Sequence, residues 1–483
     1  MKFIIKLFPE ITIKSKPVRK QFVRQLRSNI RKILKRIDET VVVIGQWDKI
    51  EVELHGASDE RGEEIAAALQ KIPGIANILL VTEHGFNDFD DIFEKTKSVY
   101  APMIAGKTFV VRVKRAGKHD FKSIDVERYV GGGLLKHTDG VSVDLHNPDV
   151  IVRLEIRHDM LYIIEKRYEG LGGFPIGSLD TVLSLISGGF DSTVSSYLTM
   201  KRGLRTHFCF FNLGGAAHEI GVKQVSLYLW EQYGSSHKVK FITIPFEDVV
   251  AEILKSVHHS QMGVVLKRMM LRASSQVAES MNVQALVTGE SVAQVSSQTL
   301  TNLAVIDKVT DTLVLRPLIT MDKMDIIRLS AQIGTEDFAK TMPEYCGVIS
   351  DRPTTCAKMH KIQREEDRFD FDVLDKAVAD RVAVTIDEVM DSVVTVEDVE
   401  LVTTPSIDDV IIDIRHPTEA ERRPLHLTNN EIVHIPFFEL MSKAGEIDSS
   451  KRYLLYCEKG TMSQLHASHL KGEGFDNVLV YKV

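Results

Sequence analysis

From about residue 175 to 390, short apolar runs alternate with helix-length amphipathic stretches, and this alternation constrains the fold more than any other feature of the chain. Strand candidates are Val182–Ile186, His207–Phe211, Val239–Ile244, Ala285–Thr288 and Leu313–Leu315. Between them lie helical stretches at Ser192–Met200, Ala217–Tyr233 and Met262–Met281. Strands that are apolar on both faces need helices on both sides, so the pattern predicts a doubly wound parallel sheet. In such sheets ligands bind beyond the carboxyl ends of the strands.

The flanking regions read differently. Phe3–Leu7 predicts a strand. From Pro17 to Ile37 the residues Val18, Phe22, Leu26, Ile30, Ile33, Leu34 and Ile37 recur at helical spacing, with Arg19, Lys20, Arg24, Arg27, Arg31, Lys32, Lys35 and Arg36 on the other faces. Strands at Thr40–Ile44 and Lys49–Leu54 and a helix near Glu63–Gln70 complete a small α+β unit, placed at residues 1–60. A second mixed unit, residues 61–168, holds the strand Thr108–Lys114, a helix starting at Ser123 and a hairpin of Val150–Glu155 with Met160–Glu165. The breaker cluster Glu169–Gly177 sets a boundary before the parallel-sheet domain, residues 175–390. Residues 361–404 are expected to be partly helical and then linker, with the linker proper at 391–404. A last α/β unit spans 405–483, with strands at Val410–Ile414, Ile432–Ile435, Arg452–Tyr456 and Asn477–Tyr481.

Charge and cysteine usage exclude several classes. The net charge of −7 is unlike that of a generic nucleic-acid binder, but residues 1–40 carry twelve Lys/Arg against three Asp/Glu. Residues 361–409 carry five against fifteen. A local basic surface on an acidic chain can still hold RNA. No stretch approaches the ~20 apolar residues of a membrane span, and the N-terminus lacks a signal-peptide core, so a cytoplasmic chain with no membrane partner is expected. The four cysteines, Cys209, Cys346, Cys356 and Cys457, form no CxxC pair. A disulfide scaffold and a metal site are both disfavoured, which leaves one or two working thiols. Cys209, inside an apolar strand, is expected in the core.

The run Val182–Ser192 (VLSLISGGFDS) is an apolar strand entering a glycine turn and then a helix. That geometry aims backbone N–H groups and a positive helix end at an anion. Gly188 and Gly189 admit a phosphate without a Cβ clash, and Ser187 and Ser192 add hydroxyls. There is no Gly-Lys-Ser/Thr, so this is not the ordinary P-loop. Gly289 and Gln298, near the end of another strand, are candidate nucleotide contacts, with Lys267 as a phosphate partner. His218, at a further strand-to-helix turn, fits a ligand contact and a structural role equally.

The SGGFDS string resembles the pyrophosphate loop of the PP-loop ATP pyrophosphatases, which adenylate a carbonyl oxygen. The resemblance implies that Ser187, Gly188, Gly189, Asp191 and Ser192 grip ATP phosphates, that Asp191 acts through Mg2+, and that Leu185 and Ile186 lie against adenine.

Cys457-Glu-Lys-Gly-Thr-Met-Ser463 follows an apolar strand and precedes a helix. A cysteine there faces backbone N–H groups and a helix N-terminus, which stabilise a thiolate and equally a persulfide anion. With Asp409–Arg415 upstream and Gly474–Val478 downstream, the segment resembles a rhodanese domain. Met462 stands where many rhodaneses have Arg, and the unit is short at its C-terminus. Both departures favour a protein persulfide donor, such as a cysteine desulfurase, over a small anion. Cys346, in Thr341–Ser350, lies in a loop marked by Pro343 and Gly347, with Cys356 as a competitor for its role.

In its whole order the chain resembles the tRNA 4-thiouridine synthetases. That resemblance implies an N-terminal ferredoxin-like domain, a THUMP RNA-binding domain, a PP-loop domain and a C-terminal rhodanese domain. It implies ATP-dependent thiolation of uridine 8 of tRNA through an adenylated uridine. Sulfur would arrive as a Cys457 persulfide, and a Cys346–Cys457 disulfide would form and be opened by a cellular reductant. Arg112, Lys114, Arg115, Lys118, His119 and Arg128 are the residues expected at tRNA phosphates. A homodimer and sulfur supply to the carrier protein of thiamine thiazole synthesis are also implied. The rival expectation is a PP-loop enzyme that adenylates a small molecule or a sulfur-carrier protein.

Overall fold

The computed structural model describes the chain except at residues 46–48, 214–215, 343–352, 391–398, 416–419, 422, 441–442, 447, 449, 459–460, 473 and 483. It divides into two compact units, one of residues 1–179 with 201–203 and one of residues 180–200 with 204–483.

The first unit is built on one eight-stranded sheet. Its strands are β1 (Lys2–Leu7), β2 (Val42–Gly45), β3 (Lys49–Glu53), β4 (Ile75–Gly85), β5 (Thr108–Ala116), β6 (Ser142–Val143), β7 (Val150–Arg157) and β8 (Met160–Gly172), in the order β2-β3-β1-β4-β8-β7-β5-β6. β4 pairs antiparallel with β1 on one side and with β8 on the other, so the sheet runs unbroken from the first residues to residue 172. The helices are α1 (Pro9–Thr12), α2 (Lys16–Leu34), α3 (Asp59–Gln70), α4 (Phe89–Ile104) and α5 (Ser123–His137). The i, i+4 series Phe22, Leu26, Ile30 and Leu34 buries one face of α2 against Phe3, Ile5, Ile50 and Ile65, and leaves the arginine-rich faces outward. Buried Asn29, on the same helix, donates to the Ile176 carbonyl at 2.9 Å. A second core beneath α4 and α5 gathers Ile92, Phe109, Val126, Val130 and Ile163.

The second unit holds two sheets. The larger has β9 (Thr181–Leu185), β10 (Arg205–Asn212), β11 (Lys240–Pro245), β12 (Ala285–Val287), β13 (Leu313–Leu315) and β14 (Val382–Thr385), in the order β13-β12-β9-β10-β11-β14. Its pairs are parallel except β11 with β14. The chain moves outward from β9 through β10 to β11, then returns to add β12 and β13 on the other side. This creates a switch point between β9 and β12, where open α/β sheets bind ligands. Helices α6 (Phe190–Lys201), α7 (Ala216–Leu229), α8 (Glu247–Ser256), α9 (Met262–Ser280), α10 (Leu300–Asp307), α11 (Lys323–Gln332), α12 (Glu336–Thr341), α13 (Met359–Glu366) and α14 (Phe371–Ala379) belong to this part. The strands are as apolar as the doubly wound pattern requires: Leu183, Phe208, Cys209, Ile242 and Leu286 are fully buried.

Residues 382–385 depart from the expected helix-then-linker reading by adding an antiparallel edge strand to this sheet. Val382 and Ala383 of that strand stay exposed, so no apolar alternation announces it. The buried Arg268 of α9 explains why α13 folds here: its guanidinium donates to both Glu366 oxygens, at 2.7 and 2.8 Å.

The smaller sheet contains β15 (Leu401–Val402), β16 (Val410–Asp413), β17 (Glu431–His434), β18 (Tyr453–Tyr456) and β19 (Val478–Tyr481), ordered β15-β19-β18-β16-β17 and parallel throughout. Helices α15 (Phe437–Leu440) and α16 (Thr461–Gly472) accompany it. No described helix is long and apolar enough to cross a membrane.

Candidate active site and nucleic-acid surfaces

At the end of β9 the chain turns at Gly188, whose φ of +83° is left-handed and suits glycine. A Cβ there would lie 2.9 Å from Met342 Sδ, so sterics as well as backbone conformation reserve the position. The turn is laced by serines. Ser187 N–H donates to Ser192 Oγ at 3.1 Å, and Ser192 Oγ donates to the Gly189 carbonyl at 3.2 Å. His218 Nε2 donates to the Ser187 carbonyl at 2.9 Å while Phe210 stands edge-on to its ring. Burial lowers the imidazole pKa against the opposing pull of that carbonyl. Of its two expected roles, His218 is placed to brace the loop. Leu185 is half-buried, and Ile186 is buried with its N–H on the Cys209 carbonyl at 2.9 Å.

β12 delivers Gly289 onto the same loop. A Cβ on Gly289 would sit 2.6 Å from the Asp191 carbonyl carbon and 2.8 Å from Ser192 N. The two strand ends at the switch point are therefore in backbone contact. Asp191 projects from the first turn of α6. Lys323 Nζ holds its two oxygens at 2.9 and 3.0 Å, and Gln294 Nε2 donates to it at 2.8 Å. Next to Gly289, buried Glu290 accepts from Lys267 at 2.7 Å and from Arg316 at 2.8 Å, and Arg316 in turn reaches Asp307. Burial alone would raise the Glu290 carboxyl, but the two cations outweigh it and hold the pKa below the ordinary carboxylate range. Gln298 is buried in the turn after β12, and its Oε1 has no hydrogen-bond partner among the described residues. A buried acceptor left open is costly unless a ligand or water completes it.

Gly289, Lys267 and Asp191, expected at the site, are thus linked through Gly289–Asp191 contact and the Glu290 bridge. Lys323, Gln294, Glu290 and Arg316 were not singled out from the sequence. Glu290 follows the candidate Gly289 directly, which is a usable signal. Lys323 opens α11, 132 positions from Asp191, and carries no local signal.

In the smaller sheet Cys457 follows β18, with strands on both sides of it, and precedes α16. Cys457 is buried in the same core cluster as Ala467 and Leu470, and Ser463 N–H donates to Sγ at 3.4 Å with Ser463 Oγ also at 3.4 Å. Buried Arg415 pairs with Asp413 at 2.6 Å and lies 5.0 Å over the Tyr456 ring. It also donates to the Arg423 carbonyl, and Arg423 pairs with Glu458 beside the cysteine. Cys346 lies outside the described residues. Cys356 is exposed, on a segment whose Thr354 and Thr355 carbonyls accept from Asn302 and Thr299. Cys209 is fully buried, which pushes its thiol pKa up and leaves it inert.

In the first unit, Arg112, Lys114 and Arg115 are exposed on β5, and Lys118 and His119 follow it. His119 Nδ1 lies 2.9 Å from Arg115, and its Nε2 donates to the His158 carbonyl at 2.8 Å, so this corner is ordered. Arg128 is exposed on α5. Arg112 and Lys114 line a cleft of about 230 Å³ with Lys6, Arg153 and Arg167, and only Glu155 opposes them in charge. Lys6, Arg153 and Arg167 were missed because their clustering depends on strands far apart in sequence. A second groove, of about 560 Å³, follows Lys16, Arg19, Lys20, Arg24 and Arg27 along α2.

Comparison with known proteins joins these parts. Residues 2–78 match the ThiI ferredoxin-like domain, residues 86–164 the THUMP domain, residues 177–371 the thiamine biosynthesis protein (ThiI) family, and residues 399–483 the rhodanese-like domain. The chain is similar to tRNA sulfurtransferases of Shewanella pealeana, 56% identical over 100% of both chains, and Marinobacter nauticus, 54% identical over 100% of this chain and 99% of the relative. A crystal structure of a 4-thiouridine synthetase–RNA complex with bound ATP matches 80% of this chain and 99% of its own, at TM-score 0.69 and 25% identity. With a serine-laced loop at the switch point, a cradled cysteine and full-length relatives of one kind, the chain belongs to the tRNA sulfurtransferase family.

Proposed function

We propose that this enzyme makes 4-thiouridine at position 8 of tRNA, using ATP to activate the uridine and a persulfide on Cys457 as the sulfur source. The observation that carries the reading is the Cys457 cradle: Ser463 places both its N–H and its hydroxyl at the sulfur, at the start of a helix. Such surroundings stabilise an anionic sulfur.

The ATP side rests on the Gly188–Ser192 turn. Its amides and the start of α6 suit a triphosphate, with Lys267 as a cation for it and Leu185 and Ile186 as an apolar wall for adenine. The open Oε1 of Gln298 offers an acceptor to a donor group of a base. Mg2+ binds through one or two carboxylates plus phosphate oxygens, and Asp191 supplies a carboxylate in the right turn. When bound, the ion neutralises phosphate charge. Lys323 and Gln294 fix where that carboxylate points.

Uridine O4 attacks the α-phosphate of ATP, pyrophosphate leaves, and O4 becomes part of an adenylate. The terminal persulfide sulfur, attacking directly or freed as sulfide, bonds to C4 while AMP leaves. The Cys346 thiolate attacks Cys457 Sγ and breaks its bond to the terminal sulfur, before the C4 step where sulfide is freed and after it where attack is direct, and a Cys346–Cys457 disulfide results. A dithiol reductant returns both thiols with two electrons. A flanking residue supports Cys346 over Cys356 as the partner: Met342, just before its segment, occupies the space where a Cβ on Gly188 of the loop would lie. Arg112, Lys114, Arg115, Lys118, His119 and Arg128 would meet tRNA phosphate, each contributing about one unit of salt-dependence slope. The name of the matched family supports a second outlet, sulfur for thiamine thiazole synthesis.

The test combines purified protein, ATP, a cysteine desulfurase, cysteine and unmodified tRNA, read by absorbance of thiolated uridine. Cys457→Ala and Cys346→Ala should lose activity and Cys356→Ala should keep it. Normal thiolation by Cys457→Ala rejects the sulfur assignment. ATP–pyrophosphate exchange that needs no RNA favours small-molecule adenylation instead.

A further inference from the structure

Within the second unit, five side chains close a ring of contacts between the nucleotide-type domain and the cysteine-bearing domain. Gln224 and Tyr228 stand one turn apart on α7. The Tyr228 ring lies 5.3 Å from Phe338 of α12, Phe338 lies 5.2 Å from Phe437 of α15, and Phe437 lies 6.2 Å from His466 of α16. His466 Nε2 then accepts from Gln224 Nε2 at 3.1 Å, which returns the ring to α7. Phe338, Gln224 and His466 are all buried.

This contact lies on a short route between the two chemical centres. Ser463, which touches Cys457 Sγ, is one helical turn before His466. Gln224 is one turn after Gly221, and Met342 fills the space at both Gly221 and Gly188 of the loop. Each turn of this kind advances about 4.5 Å along its helix. Cysteine and phosphate-type turn are therefore separated by two helical turns and four contacts, Cys457–Ser463, His466–Gln224, Met342–Gly221 and Met342–Gly188.

We propose that the Gln224–His466 pair, with the Phe338–Phe437 ring contact, is a delivery dock that positions the loaded Cys457 domain at the nucleotide loop. The proposal rests on the reading of Cys457 as the sulfur carrier. These are positioning residues, which act through where they hold the Cys457 domain. An inter-domain contact that mixes polar and aromatic side chains can release, as a carrier that must also meet a protein donor requires.

The test uses full-length protein loaded with persulfide on Cys457, then mixed with ATP and unmodified tRNA in a single turnover. Gln224→Ala, His466→Ala and Phe437→Ala should each slow thiolation about tenfold, the effect of one lost contact of this size. Persulfide loading by mass spectrometry and ATP affinity should stay at wild-type values. Gln224→His combined with His466→Gln re-forms a donor–acceptor pair and should recover most of the rate. Wild-type rates in the alanine variants, or no recovery in the exchanged pair, overturn the dock. A wild-type protein that takes up no persulfide or forms no thiouridine rejects the sulfur-carrier reading itself, a separate outcome.

Discussion

Lys323 Nζ sits astride the Asp191 carboxylate, 2.9 Å from one oxygen and 3.0 Å from the other. The pair is partly exposed, so its worth to stability is small, about 0–1 kcal/mol. Its worth to chemistry is larger if Asp191 must point at the triphosphate. Lys323→Ala should lower the rate of AMP formation with tRNA about tenfold to a hundredfold while moving the thermal midpoint little. Equal losses in rate and in midpoint would assign Lys323 to folding alone.

Gly289→Ala should be damaging well beyond its size. The new methyl meets backbone, at 2.6 Å from the Asp191 carbonyl carbon and 2.8 Å from Ser192 N, and backbone cannot rotate away. Overpacking of this kind costs about 1–3 kcal/mol. ATP affinity, followed by calorimetric titration, should fall more than denaturant stability, because the displaced atoms belong to the loop itself.

Glu290→Gln leaves Lys267 without its carboxylate partner and Arg316 with Asp307 alone. Removing one member of a buried charge cluster costs about 3 kcal/mol. The expected result is a lower urea midpoint with an unchanged slope. The variant should also bind ATP differently at low and high salt, since Lys267 is no longer held.

His207 gives the unit an acid sensitivity. Burial first, then the charges of Arg205 and Lys240, lower its pKa from 6.5 to about 4, and Nδ1 accepts from Lys240 N–H at 2.8 Å. The folded state keeps the ring neutral while the unfolded chain protonates near 6.5. Its contribution is complete above that value and is lost as pH falls toward 4, up to about 3 kcal/mol. His207→Asn keeps an acceptor near the Nδ1 position without titrating. Denaturation at pH 7 and pH 5 should show a smaller difference for the variant than for wild type.

The doubly wound sheet was legible because its strands are apolar throughout, as Leu183, Phe208 and Ile242 show by their burial. The candidate loops were legible for the same local reason: Gly188 and Cys457 each sit between a strand and a helix in contiguous sequence. What escaped depends on return of the chain. Lys323 reaches Asp191 only because α11 follows the last parallel strand back over the switch point. Lys6, Arg153 and Arg167 meet in one cleft because β1, β7 and β8 share a sheet. β14 is short and half exposed, so only its pairing with β11 identifies it.

The shared position of β4 has a mechanical consequence. A strand hydrogen-bonded into both halves of the first unit leaves no hinge between them, so basic surfaces mounted on either half keep a fixed spacing. The first unit therefore offers its basic clefts as one rigid surface of fixed dimensions.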